Sequence, residues 1–187
     1  LIHHKIELTE GARPQFTCNY PPSHADGEKV KEIVESMLKE GWIEKANSQW
    51  NSPFLLVQKP DGSIRFCLDF RRLNSVTVPD RWWPIRVDQI LESLSGNRWF
   101  SKLDMKNGFY QVPIEEDARD LTAFTVPDGG QWRYKRMPFG LMNAPATFCR
   151  LMWMVTKDIH ILPKNGKVVS RVFVYIDDVL VASQSEE

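Results

Sequence analysis

Apolar positions along the chain fall into two periods, one helical and one strand-like. Val30, Ile33, Val34, Met37 and Leu38 recur at three- and four-residue intervals, which predicts a helix that begins near Ser23 and stops at Gly41. Ser23 and Asp26 have the spacing of a capping box. Before it, residues 1–22 are broken by Gly11, Pro14, Pro21 and Pro22 and predict irregular chain. Two strand-like runs, 54–58 and 64–68, flank Pro60-Asp61-Gly62 and predict a β-hairpin. On its second strand Ile64, Phe66 and Leu68 share one face, and Arg65 and Cys67 take the other.

The second half repeats this alternation. Val87, Ile90, Leu91 and Leu94 form one stripe of a short helix ended by Gly96, and 99–103 predict a strand that delivers Asp104 at its end. Residues 122–126 and 131–136 flank Pro127-Asp128-Gly129-Gly130, a second hairpin signal. Asn143-Ala144-Pro145 opens a helix, with Asn143 as cap and Pro145 in the first turn. Phe148, Leu151, Met152 and Val155 are its expected buried stripe. After a turn at Asn165-Gly166, the buried strand 172–176 is interrupted by Asp177-Asp178 before 179–182. There is no internal repeat and no linker. The fold class is α+β, antiparallel strands with packed helices.

Composition narrows the function classes. Lys+Arg and Asp+Glu are both 24, so the net charge is zero, which argues against a small module that holds nucleic acid by bulk charge. A local basic groove beside a cluster of acids is still compatible with that balance. Cys18, Cys67 and Cys149 form no C-x-x-C pair and read as reduced thiols of an intracellular protein. His3, His4, His24 and His160 show no i,i+4 pair, so a histidine metal site is not expected. No run of about 18 apolar residues exists to span a membrane. The N-terminus lacks a basic segment followed by an apolar one, so no secretory signal is expected. A first residue other than Met suggests a fragment or a processed product.

The chemistry concentrates at Asp177-Asp178. A polar turn is the plain explanation for two acids between apolar runs. Two-residue hairpin turns, however, favour Gly or Asn where φ is positive, and neither is present here. Adjacent like charges also repel unless a cation neutralises them. Asp104, at the end of its own strand, is the natural third member. A lone strand-terminal Asp is usually a turn residue, but on a strand adjacent to 177–178 it would make three carboxylates converge. Hard cations take such oxygen ligands, and Mg²⁺ in particular keeps waters and is completed by substrate phosphates. Two ions about 3.5–4 Å apart serve phosphoryl transfer, so the pattern points to nucleotidyl transfer from a nucleoside triphosphate to a 3′-hydroxyl.

At these residues the chain resembles a known family. Tyr175-Ile176-Asp177-Asp178 is similar to the Y-x-D-D box of reverse transcriptases, and Leu103-Asp104-Met105-Lys106-Asn107-Gly108-Phe109-Tyr110-Gln111 to their other catalytic motif. Met137-Pro138-Phe139-Gly140-Leu141, Asn143-Ala144-Pro145-Ala146-Thr147-Phe148 and the run from Lys59 to Asn74 resemble gypsy-type LTR retrotransposons. A four-residue box alone is weak, but four motifs in order are specific.

The resemblance implies a right-hand polymerase, with fingers at residues 1–80 and 112–143 and palm at 81–111 and 144–187. It implies that Asp104, Asp177 and Asp178 are catalytic and hold two Mg²⁺ ions, with Mn²⁺ as an alternative. Backbone amides of Met105, Lys106, Asn107 and Gly108 would meet the triphosphate, and Lys59 and Arg65 would hold its phosphates. Phe109 would be the aromatic steric gate against a 2′-hydroxyl, and Phe139 would shape the same pocket. Tyr175, Ile176 and Gly140 would lie near primer and template, Gly140 allowing close backbone approach. The implied partners are dNTP, an RNA or DNA template-primer, and the thumb, connection and RNase H regions of a parent polyprotein. No membrane is implied, and the expected location is cytoplasmic, within retroelement particles. The chain departs from the family pattern at Trp82-Trp83-Pro84-Ile85, Trp153 and Ile64, and it ends before any thumb.

Two other functions fit parts of the sequence. An RNA-copying RNA polymerase shares the carboxylate logic, but Phe109 and the motif string argue against it. A non-catalytic descendant that binds RNA or protein fits the zero net charge and the absent thumb, but not the intact acids.

Overall fold

The structure is a computed structural model. It describes residues 2–19, 24–58, 60, 62, 64–82, 86–127, 129–158, 161–164, 167–176 and 178–184, with backbone only for 24–26, 161–164 and 167–169. In chain order its elements are α1 (His24–Lys39), β1 (Ile43–Lys45), β2 (Phe54–Gln58), β3 (Ile64–Leu68), α2 (Arg71–Ser75), α3 (Val87–Ser93), β4 (Trp99–Asp104), β5 (Phe124–Val126), β6 (Gly130–Tyr134), α4 (Ala144–Thr156), β7 (Ile161–Lys164), β8 (Lys167–Tyr175) and β9 (Asp178–Ser183). Every strand pairing among these elements is antiparallel. The chain divides into two units, 1–79 with 109–144 and 80–108 with 145–187.

In the first unit, α1 buries Val30, Val34 and Met37. Leu38, expected on the same stripe, is 46% exposed. It lies in the last turn, where Gly41 at φ 70° reverses the chain. Gly41 N–H donates to Leu38 O at 3.0 Å and Trp42 N–H to Met37 O at 2.9 Å, a Schellman pair that satisfies the helix's last carbonyls. The expected cap Ser23 lies outside the described residues. β2 and β3 form the predicted hairpin, with Phe54 opposite Leu68 and Gln58 opposite Ile64. Within that hairpin Phe66 stacks on Phe54 at 5.4 Å, and it reaches beyond it to Phe124 of β5 at 5.6 Å.

A second sheet of this unit has the order β1-β6-β5. The β5–β6 hairpin is shorter than expected: Thr122 ends a 3₁₀ turn over Glu116–Thr122 instead of opening the strand. Its fully buried hydroxyl accepts from Tyr134 N–H at 2.9 Å and donates to Arg119 O at 2.7 Å, so that turn is bonded to β6. Phe124, Tyr134, Phe70, Leu73 and Ile114 are at most 2% exposed and form the core, each contributing on the order of 1.5–3 kcal/mol by burial.

The second unit is built on a four-stranded sheet of order β4-β9-β8-β7. β8 and β9 form the predicted hairpin, but Tyr175 pairs with Asp178, so Asp178 belongs to the strand and not to the turn. β4 lies at one edge of this sheet, and all six of its residues are exposed, Phe100 and Leu103 at 53% and 55%. Of the stripe expected on α3 only Ile90 is buried; Leu91 is 62% exposed. On α4, Phe148 and Met152 are buried as expected, whereas Val155 is 65% exposed. In that last turn the buried position passes to Thr156, whose hydroxyl satisfies Met152 O at 2.7 Å. Two departures from the family pattern meet here. Trp82 and Trp153 pack edge to face at 6.5 Å, and the Arg150 guanidinium lies 5.2 Å from the Trp82 ring while binding Asp80 at 2.7 Å. Trp83, Pro84 and Ile85 lie outside the described residues.

Among the described residues, no helix is long and apolar enough to cross a membrane. The three cysteines are free thiols.

Candidate active site

Strand register brings the first two carboxylates together. β4 pairs with β9 from Trp99 opposite Ser183 to Asp104 opposite Asp178. Directly opposed residues of an antiparallel pair project to the same face, with Cβ atoms about 4.5–5.5 Å apart. Asp104 and Asp178, far apart in the chain, therefore share one end of one face. Asp104 is exposed, and the Asp178 side chain is 45% exposed, so both can keep water or accept a ligand. Asp177 lies outside the described residues, and among the described residues no group of three metal-ligating side chains gathers.

The loop that separates β8 from β9 is tight. Ile176 sits at φ 52°, a left-handed conformation that a β-branched residue rarely adopts. The absence of Gly or Asn noted in the sequence thus appears as strain at Ile176, of order 1–3 kcal/mol. On the same face as the two acids, Tyr175, Phe173 and Leu180 line an apolar cavity of about 240 Å³ closed by Val87, Ile90, Leu91 and Leu94. Lys102 belongs to this face as well. Its Nζ lies 3.0 Å from Asp178 Oδ1. Sequence reading passed over Lys102, although strand alternation already places it on the side of Asp104.

After Asp104 the chain turns back through Met105, Lys106 and Asn107. Asn107 takes φ 52°, which its short polar side chain tolerates, and Gly108 N–H donates to Met105 O at 3.2 Å. A Cβ on Gly108 would sit 2.8 Å from Phe148 Cζ, so glycine lets this turn press against α4. Met105, Lys106 and Asn107 are exposed.

The remaining expected residues gather in the first unit. Phe109, 6% exposed, stacks on Phe139 with centroids 5.0 Å apart, and the Arg65 guanidinium lies 5.8 Å from the Phe139 ring. Tyr110 meets Phe139 edge-on at 5.8 Å and stacks flat on Trp42 at 4.1 Å. Burial pushes the phenols of Tyr110 and, more strongly, Tyr134 above the ordinary value. Both therefore stay neutral, and with Trp42 and the two Phe rings they form an aromatic platform edged by one guanidinium. Trp42 gave no sequence signal, since only the fold brings it to Tyr110.

The turn carrying Phe139 is clamped. Gly140 has φ 93°, and the Asn74 side chain donates to Gly140 O and accepts from Met142 N–H, both at 2.9 Å. Asn74 itself is held at the end of α2, behind Asp69. That carboxylate accepts from Arg71 N–H at 3.1 Å where α2 begins and grips the Arg71 guanidinium at 2.6–2.8 Å. The Arg71 side chain holds the Asp69 carboxyl below its ordinary value. Lys59, expected beside Arg65, lies outside the described residues.

Known proteins resemble this chain in sequence and fold. The family model described as reverse transcriptase (RNA-dependent DNA polymerase) matches residues 57–187. The retrovirus-related Pol polyprotein from transposon 297 of Drosophila melanogaster is 36% identical over 98% of this chain and 17% of its own length. That from transposon gypsy of the same organism is 34% identical over 92% of this chain and 16% of its own length. Among solved structures, the foamy viral protease-reverse transcriptase in complex with RNA/DNA hybrid matches with a TM-score of 0.81 at 28% identity, covering 100% of this chain and 24% of that one. The chain thus spans less than a quarter of each of these proteins. The family model, the relatives and the fold agree, and the chain belongs to the reverse transcriptase (RNA-dependent DNA polymerase) family.

Proposed function

We propose that this chain is the nucleotide-adding part of an RNA-directed DNA polymerase, joining dNTPs to a primer 3′-hydroxyl on an RNA or DNA template. The observation that carries this reading is the register pairing of Asp104 with Asp178 in a chain of this family. The donor set fits divalent magnesium, since both acids offer hard oxygen ligands at open strand ends where waters and phosphates can complete the coordination. Asp104, Asp178 and, by its motif, Asp177 would hold it. Two bound ions supply Lewis-acid stabilisation of the attacking and leaving oxygens.

The protein's own residues bind and orient. The unit of residues 80–108 and 145–187 acts as palm, and that of 1–79 and 109–144 as fingers. Arg65, with Lys59 by its motif, binds the triphosphate, and the amides from Met105 to Gly108 donate to it. Phe109, fixed by Phe139, excludes the 2′-hydroxyl by bulk. Tyr175, Ile176 and Gly140 border primer and template.

The test is Mg²⁺-dependent primer extension on an RNA template, with the chain assayed in its parent polyprotein. Asp177→Asn is expected to lose about a hundred-fold or more of the extension rate; extension at the parent rate would refute the metal assignment. Phe109→Val is expected to raise ribonucleotide incorporation, and unchanged sugar discrimination would remove Phe109 from the gate role.

A further inference from the structure

The face that carries the two acids also carries a cation. Lys102 stands two residues before Asp104, opposite Leu180, and Asp178 is its diagonal neighbour across the β4–β9 pair. Such neighbours lie about 7–8 Å apart between Cα atoms, within reach of a long side chain. The Lys102 stem lines the apolar cavity beneath the acids, and its ammonium reaches Asp178 Oδ1 at 3.0 Å. An amphipathic side chain commonly divides in this way, methylenes on apolar wall and charge at the rim.

The pair needs a positive charge. Like charges directly opposite on neighbouring strands are destabilising, and here the ammonium already binds one of the oxygens that a divalent ion would take. We propose that Lys102 is the internal counter-ion of this carboxylate pair: it holds Asp178 while no divalent ion is bound, and it yields that oxygen when one arrives. This rests on the reading that the acids take divalent cations, and adds that Lys102 sets how tightly they do so.

The contact is suited to release. Both partners are well exposed, Lys102 at 65% and Asp178 at 45% of their side chains, and exposed ion pairs are weak. A lysine ammonium is a compact, hydrated charge on a flexible stem, which can swing to water without leaving the cavity wall. Lys102 is thus a positioning residue that acts through Asp178.

The experiment titrates Mn²⁺ into the whole chain at low salt and follows bound ion by electron paramagnetic resonance. Parent, Lys102→Met, Lys102→Arg and Asp104→Asn are compared. Methionine keeps an apolar stem and removes the charge, so Lys102→Met is expected to bind Mn²⁺ about two- to five-fold more tightly. That gain should shrink as salt rises, because the pair is exposed. Lys102→Arg should stay near the parent, and Lys102→Gln gives a second charge-free reading should the Met variant not fold. Affinity unchanged or weakened in both charge-free variants, with Asp104→Asn still lowering it, overturns the role of Lys102 and leaves the metal site standing. Mn²⁺ binding that Asp104→Asn also leaves intact, or no binding by the parent, overturns the carboxylate reading and this inference together.

Discussion

Asp104→Asn separates the cost of the carboxylate pair from its use. In the metal-free chain Asp104 faces Asp178 across β4 and β9, and the substitution removes one charge at nearly constant shape. Two unit charges about 5 Å apart in water repel by about 0.8 kcal/mol, and cross-strand pairs range over roughly 0.2–1 kcal/mol. Lys102, 3.0 Å from Asp178, already offsets part of that repulsion. The expected gain in chelator at low salt is therefore a few tenths of a kcal/mol, up to about 0.8. It should fall toward zero in 1 M salt, where the screening length is about 3 Å. With Mg²⁺ the proposed metal site predicts the inverse order. A ligand at tenfold its Kd stabilises the parent by about 1.4 kcal/mol, and the Asp104→Asn variant forfeits most of this because a neutral amide is a poorer ligand for a hard cation. Urea unfolding in chelator and in Mg²⁺ measures both effects, and amide hydrogen exchange on β4 and β9 localises them. A variant less stable than the parent in chelator, with its full Mg²⁺ gain retained, would refute the reasoning on both counts.

Three further outcomes follow from particular geometries. Gly140→Ala places a methyl group at φ 93°, 3.4 Å from Phe70 Cδ2, and should cost about 1–2 kcal/mol in thermal unfolding, while a neutral result would mean that the Asn74 clamp tolerates another turn. Ile176→Asn relieves a β-branched residue at φ 52° and should raise the melting temperature by roughly 2–4 °C per kcal/mol recovered; no change would mean that the loop is not strained. The Asp69 carboxyl is held below 3.8 by Arg71, so its contribution is present above that value and is lost as pH falls through the lower folded-state value. The stability gap between the parent and Asp69→Asn should be constant near neutrality and close only below about pH 4; a gap that does not depend on pH down to about 2 would show that Arg71 is not its cause.

Local patterning carried much of this protein into view. Apolar runs on either side of turn residues marked the β2–β3 and β8–β9 hairpins, helical spacing marked α1 and α4, and the end of a strand-like run marked Asp104, because each signal is complete within a few residues. Short elements without such a signal did not show: β1 is three residues that gain their partners only from β6, and α2 is a single helical turn. Exposure was misjudged where an apolar stripe runs past its cover, at Leu38, Leu91 and Val155. The sequence placed Phe109, Phe139 and Arg65 on three separate segments, and only the fold stacks them on one platform with Trp42 and Tyr110.

By itself, the sequence determined which residue types stand at which strand ends, and with them the family. Tertiary structure decided that Asp104 lies opposite Asp178, and that Lys102 reaches across to the same carboxylate. A shift of one residue between β4 and β9 would leave every local signal intact and send the two acids to opposite faces. Register is set by side chains packed from distant parts of the chain, so no window along a single strand contains it.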